Sequence, residues 1–272
     1  MAKRIEKIIN TAIAVGVSAL ISTNLISING CAGANYQIIE NNNAQKILEK
    51  RQNITRGNKK FREIALTFDY EAGKKEAEFI LDALKKENVK ATFFITGDMI
   101  ERHPDIVRRI VDEGHEAGNH TYDHRKLTLI KRLDENIVKE ELSKTDKLFY
   151  KITGKNLIYW RARAGAVNKK ILEYAAKNGY GPHIYWTIDP RDWECREGMQ
   201  EMTEKRLFSL LQKDKYNGNG AIIVEHASST SKFYKKLPEI IQRLKKNYSL
   251  VTLSEIIDDK DDFSYKQDHC KK

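Results

Sequence analysis

The chain has few cysteines, no repeat and no concentrated basic segment, and the first and last of these lacks each weigh against a class of protein. Cys31, Cys195 and Cys270 are the three cysteines of 272 residues, too few for a disulfide framework. The spacing of Cys195 and Cys270 neither requires nor forbids a bridge, and two unpaired thiols fit equally well. No internal repeat or low-complexity block is evident. Lysine and arginine number 48 against 38 acidic residues, a formal charge of +10. The lysines are scattered over most predicted helices, with no basic arm and no aromatic-interleaved stripe. That argues against a nucleic-acid partner and leaves an anionic envelope or simply a basic surface.

What is present suits one compact domain with a leader and tails, since 40% of the residues are hydrophobic. Lys3, Arg4 and Lys7 precede an apolar, uncharged stretch from Ile8 to Ile28, the pattern of an export signal. The stretch also approaches the roughly 20 residues of a membrane span. Ile28-Asn29-Gly30-Cys31 resembles a bacterial lipobox and favours cleavage before Cys31, followed by its lipidation. Residues 1–31 are therefore expected to be a lipoprotein-type signal, which places the protein at the cell envelope on a lipid anchor. Residues 32–60, rich in Asn, Gln and Lys, read as a flexible tether, and residues 258–272 as a charged tail.

Between these ends, short β-branched and aromatic runs alternate with segments of helical period. Strands are predicted at Ile64–Phe68, Ala91–Thr96, Glu116–Asn119, Leu157–Trp160, Ile184–Ile188, Ala221–Val224 and Leu250–Leu253. Helices are predicted over 74–87, 105–113, 134–152, 168–178, 203–212 and 234–246. Asn168 is a candidate N-cap, with Gly179 just past the same helix. Strand and helix repeating about seven times imply an α/β fold with a mostly parallel sheet, closed as a barrel or open.

Polar residues collect where the strands end. Asp69, His120, Arg161, Asp189 and Glu225-His226 each follow or finish a predicted strand. In a parallel sheet those carboxyl ends share one rim, where ligand sites are built. His120 and His124, four apart, fall on one face of a helical turn and reach one metal ion. A hydrolytic metal asks for a third protein ligand and an open position for water.

Thr67-Phe68-Asp69, His120 to His124, Arg161-Ala162-Arg163-Ala164-Gly165, Asp189-Pro190-Arg191-Asp192-Trp193 and Val224-Glu225-His226 occur in one order and spacing. The chain resembles, over roughly 61–257, the NodB-homology polysaccharide deacetylases, carbohydrate esterase family four. Phe93 to Gly97 and Glu113 to His120 match that family's linking segments. The resemblance implies a distorted (β/α) barrel of about seven strands and an enzyme that hydrolyses the acetamido group of N-acetylated sugars, peptidoglycan above all. It implies one divalent metal ion, expected to be zinc, held by His120 and His124. It makes Asp69 the general base, restrained by Arg161, and His226 the general acid, oriented by Asp192. It assigns the Ala164 N–H to the oxyanion and Trp193 and Val224 to the acetyl pocket. The partner is a polysaccharide, and the protein is expected to act as a monomer.

Two departures stand out. The family places a second Asp after the base as third metal ligand, and here Tyr70 stands there. A phenol ligates poorly at neutral pH, so Glu71 or water completes the shell, and restoring Asp at position 70 is expected to tighten metal binding. Motif three has Ala162 and Arg163 where the family has prolines. Arg163 suits an anionic group such as a lactyl carboxylate or peptide stem, or a surface role. A catalytically silent glycan-binding protein on the same barrel is the alternative function.

Overall fold

The computed structural model describes residues 53–257 with their side chains, and the backbone of three short segments before them. Those segments, β1 (Ala19–Ser22), β2 (Leu25–Asn29) and β3 (Asn35–Ile39), pair as an antiparallel sheet of their own. The lipobox cysteine Cys31, Cys270 and the tail lie outside the described residues, and Cys195 is free and buried. No helix among the described residues is long and apolar enough to cross a membrane.

The centre of the domain is β5 (Glu63–Tyr70), whose residues from Ile64 onward are all buried. A strand covered on both faces carries the near-continuous apolar run of a parallel sheet. It pairs in parallel along one edge with β9 (Ala221–Ala227). Its other edge takes β10 (Ser249–Val251) at the start and β6 (Thr92–Ile95) at the end. β6 pairs with β7 (Glu116–Asn119). Single parallel bridges then close the ring, from Asn119 to Trp160, from Trp160 to His183 of β8 (His183–Ile184), and from Ile188 to Ile223 of β9. The fold is the closed, distorted (β/α) barrel. The predicted strands 157–160 and 184–188 shrink to a bridge residue and a two-residue strand with one further bridge.

Period-two alternation divides each strand between two layers. On β5, Ile64, Leu66, Phe68 and Tyr70 join Ala77, Ile80, Leu81 and Leu84 of α1 (Lys74–Lys86) in the outer core. Ala65 faces inward with Phe94, Ile184 and Ile222, and Thr67 and Asp69 follow it on that face. The outer ring is completed by α2 (Gly97–Arg102), α3 (Pro104–Asp112), α4 (Glu135–Thr153), α5 (Lys169–Lys177), α6 (Gln200–Lys213) and α7 (Leu237–Lys245). The capping signals act as read: Asn168 Oδ1 accepts the Ile171 N–H at 3.0 Å, Pro104 opens α3, and Gly179 takes a φ of 82° after α5. The unforeseen α2 is one short segment, capped by Thr96 Oγ1 on the Met99 N–H at 3.3 Å.

At the amino ends of the strands, Leu253 and Ile256 of α8 (Leu253–Ile257) plug the inner core. The Leu253 N–H reaches Thr92 Oγ1 at 3.1 Å and the Ser254 N–H reaches Glu116 Oε2 at 3.2 Å. That end is sealed, so the opposite rim is left to carry a site.

The tether reading over 32–60 is corrected at both ends. Asn35–Ile39 is a strand, and residues 53–60 dock on the domain. β4 (Asn53–Ile54) pairs in parallel with β8, and Tyr185 N–H donates to Ile54 O at 2.7 Å. Gly57 N–H reaches Gly220 O at 2.9 Å, and Arg56 donates to Asn219 O at 2.7 Å and to the Asp214 carboxylate. These are mostly backbone bonds, which leave no apolar period to read in the sequence. A chain starting at Phe61 should therefore melt below one starting at Asn53. Losing the charge-assisted bonds of Arg56 alone costs about 1.5–3 kcal/mol, and each kcal/mol is worth about 2–4 °C in a domain this size. Equal melting temperatures in calorimetry would show that residues 53–60 contribute nothing.

Candidate active site

The rim is built around Arg161, which is fully buried. Its Nη1 donates to Asp69 Oδ1 at 2.7 Å and to Thr67 Oγ1 at 3.0 Å, its Nε to Ile184 O at 2.9 Å and its Nη2 to Tyr185 O at 3.3 Å. The guanidinium lies 4.0 Å from the centre of the Phe94 ring, a favourable cation–π distance. Burial resists the charge on Asp69, but Arg161, with His120 and His226, outweighs it and holds the carboxyl at about 2. Asp69 is an ionised acceptor at neutral pH.

His120 is also fully buried, and burial drives its pKa down to about 4, so its ring is neutral. Its Nδ1 lies 2.8 Å from Arg161 O. A carbonyl only accepts, so Nδ1 carries the proton and Nε2 is left with a bare lone pair. That Nε2 has no hydrogen-bond partner and stands 3.6 Å from Asp69 Oδ2. His124 Nε2 meets Glu71 Oε2 at 2.8 Å, and one ligand atom from each of Glu71, His120 and His124 falls within 4.8 Å of the others. Two imidazoles and a carboxylate, one imidazole aimed at nothing, fit a divalent cation.

Tyr70 stands apart from this cluster. Strand alternation sends Tyr70 to the outer core, where it lies fully buried and stacks near His103, while Glu71 returns to the face of Asp69. The expectation that Asp at position 70 tightens metal binding is corrected, because that carboxylate would point away from the imidazoles. The helical turn expected from His120 to His124 is absent as well. The span is an irregular loop in which Thr121 and His124 take left-handed φ of 64° and 59°. Ala164 (53°) and Arg191 (57°), in two other motifs, do the same. Such backbone costs about 1–3 kcal/mol per residue and concentrates at functional sites.

Across β5, Asp69 is in register with His226 of β9. His226 Nδ1 lies 2.8 Å from Asp192 Oδ1, and its backbone N–H donates to Asp192 Oδ2 at 2.8 Å. Asp192 is held in turn by Ser231 Oγ, 3.4 Å from the same Oδ2. Burial disfavours the imidazolium, but Asp192 overrides it and lifts His226 to about 10. Asp189 accepts the Arg191 N–H at 2.7 Å and so builds the turn that brings Asp192 beneath His226. Trp193 is 43% exposed on the rim, whereas Val224 is fully enclosed on the inner face, two residues before His226. Ala164 sits in the turn Arg163–Gly165, where a Cβ on Gly165 would come within 2.1 Å of the Tyr185 ring. The structure thus gathers Asp69, Arg161, His120, His124, His226 and Asp192. Sequence reasoning assigned no role to Asn119, although it lies in a matched linking segment, and overlooked Glu141, which carries no motif signal; both hold the imidazole loop.

Fold and site together define a class, an α/β barrel whose open rim sets an ionised carboxylate and a protonated imidazole beside a cluster that could hold a cation. The polysaccharide deacetylase family matches residues 56–183. The peptidoglycan-N-acetylmuramic acid deacetylase of Bacillus subtilis is 32% identical over 219 residues, 79% of this chain and 79% of that protein. A peptidoglycan-N-acetylglucosamine deacetylase of Listeria monocytogenes is 33% identical over 72% of this chain, which spans only 39% of that protein. The solved Bacillus subtilis family 4 carbohydrate esterase PdaA superposes with a TM-score of 0.67 at 29% identity, over 82% of this chain and 92% of that one. A family 4 pseudoenzyme from Bacillus anthracis superposes with 0.65 at 27% identity, over 76% of this chain and 69% of that one. The chain belongs to the polysaccharide deacetylases, carbohydrate esterase family four.

Glu71→Gln should lower divalent-metal affinity, measured by competition with a chromophoric chelator, by about 10-fold or more, since a ligand is lost. Tyr70→Phe should leave that affinity unchanged, because its hydroxyl is buried without a partner. Tyr70→Asp should lower the melting temperature by burying an unpaired carboxylate. A gain of metal affinity in Tyr70→Asp would reverse the placement of the third ligand.

Proposed function

We propose that the chain is a metal-dependent hydrolase that removes acetyl groups from N-acetylated amino sugars, with peptidoglycan as substrate. One observation carries the reading: a carboxylate held ionised and an imidazole held protonated face the same rim from neighbouring strands, beside a neutral imidazole with a free lone pair. Amide hydrolysis needs these opposite states at once.

His120, His124 and Glu71 would hold the ion, and zinc suits that donor set. When bound, it polarises the acetyl carbonyl and makes water more acidic. Asp69 accepts the proton of the attacking water, with Arg161 fixing the carboxylate so that Oδ2 stays free for it. The Ala164 N–H donates to the carbonyl oxygen as it gains charge. His226, anchored through Nδ1 to Asp192, presents its Nε2–H to the cleft and passes that proton to the amine nitrogen as the C–N bond breaks. Acetate and a free amine leave. The named peptidoglycan deacetylases support the substrate class, and the Lys-flanked leader with Cys31 supports export and a lipid anchor.

A silent glycan-binding protein is the second reading, favoured by the likeness to a pseudoenzyme. A binder has no use for a base and an acid locked in opposite protonation states, and this chain keeps both. Incubation with peptidoglycan should release acetate, and a chelator should abolish the release. Asp69→Asn and His226→Ala should each slow it by about 10²- to 10⁴-fold. The falling limb of the pH–rate profile belongs to loss of the His226 proton. Asp192 raises that pKa, so Asp192→Asn should move the limb to lower pH. No acetate from the wild type with any divalent metal would favour the binder. Membrane fractionation tests the anchor: Cys31→Ser should release the protein from membranes.

A further inference from the structure

α4 carries two carboxylates that no catalytic step uses, and both serve the loop that bears the imidazoles. Glu141 is buried, and its Oε2 accepts the N–H of Tyr122 at 3.0 Å and of Asp123 at 3.4 Å. Its Oε1 lies 3.1 Å from Arg125 Nε. Further along the helix, Asp146 Oδ1 accepts Asn119 Nδ2 at 2.8 Å, and Leu142 O accepts the same amide at 2.8 Å. With its donors taken by the helix, Asn119 must turn Oδ1 toward the Thr121 N–H, which it meets at 2.8 Å. The three residues between His120 and His124 therefore each have their amide fixed by α4, directly or through Asn119.

No regular ladder holds this span, and its left-handed Thr121 and His124 persist only if their surroundings over-determine them. Simple packing does not explain the carboxylates, since Val138, Leu142 and Phe149 already bury the apolar face of α4. We propose that Glu141 and Asp146 are positioning residues that pin the loop amides, so that the His120 and His124 side chains stay in one ligand cluster with Glu71. The inference rests on the metal-dependent reading of the site.

Cobalt(II) titration of the purified full chain, read by visible absorption and chelator competition, tests it apart from activity. Glu141→Leu should weaken cobalt binding about 10- to 100-fold, the usual worth of a group that orients a ligand, and should alter the absorption band. Glu141→Gln, which keeps an oxygen for the two amides, should recover most of the affinity. Asp134→Ala removes the N-cap of the same helix, whose Oδ1 accepts the Ile137 N–H at 3.0 Å. It should lower the melting temperature and leave cobalt affinity intact. If Glu141→Leu fails to fold, Asp146→Leu reads the same hold through Asn119 and should weaken binding in the same direction. Cobalt binding in Glu141→Leu or Asp146→Leu equal to that of the wild type would overturn the inference alone. A wild type that binds no divalent metal would remove the metal-dependent reading and the inference with it.

Discussion

The buried pair of Arg161 and Asp69 is the constraint on which the rest of the site depends. Two charges taken out of water cost more than their attraction returns unless the remaining donors and lone pairs are also satisfied. Arg161 meets that condition through Thr67 on β5 and the carbonyls of Ile184 and Tyr185. Those carbonyls lie where the barrel ring is thinnest, closed by single bridges between Asn119, Trp160 and His183. The guanidinium takes acceptors that a longer strand would have spent on its ladder. The charge therefore bonds the wall of the barrel as well as holding the base. The backbone of the same residue reaches the other half of the site. Its N–H donates to Asn119 O at 2.8 Å and its carbonyl sets the tautomer of His120. One residue thus holds Asp69 with its side chain and sets the His120 ring with its main chain.

Strand alternation then distributes the roles. Thr67 and Asp69 share one face of β5, Glu71 just past its end turns toward the same imidazoles, and Val224 and His226 share the facing side of β9. Phe68, Tyr70 and Ile223 are spent on the outer core. The tyrosine where the family keeps an aspartate is therefore no direct loss to the cluster. It fills the hydrophobic layer against the helices, while the next carboxylate along the chain falls on the catalytic side.

Much of this was legible in the sequence because it follows from periodicity and order. The alternation of apolar runs pointed to a mostly parallel α/β sheet, the family resemblance to its closure as a barrel, and the residues just past those runs to the rim. The unread parts have a common physical cause. The docking of residues 53–60 is made mainly by backbone bonds and one charged pair, with no apolar pattern. The strand 184–188 looked longer than it is because side-chain bonds from Arg161 take the carbonyls of Ile184 and Tyr185. The helical turn assumed for His120 to His124 failed because Glu141 and Asn119, 22 residues apart in sequence order, offer those amides acceptors that a helix would have supplied locally. Spacing within a motif is blind to partners that come from elsewhere in the chain.

The electrostatics of the rim explain why its two halves need each other. A carboxyl at about 2 and an imidazolium at about 10 are fixed in the right protonation states, but each is far from the pKa at which proton transfer is most effective. Asp69 is a weak base because Arg161 satisfies it so well. His226 is a weak acid because Asp192 does the same. Burial fights both assignments and loses, so the site has secured its charges at the expense of their strength. In the proposed reaction the water that gives its proton to Asp69 would have to be unusually acidic, and the amine that takes one from His226 unusually basic. The second condition is met by the chemistry, since the nitrogen gains basicity as the amide is converted to a tetrahedral centre. On the metal-dependent reading the first would fall to a cation held by His120, His124 and Glu71, which would make the free lone pair on His120 as necessary to Asp69 as the arginine that holds it.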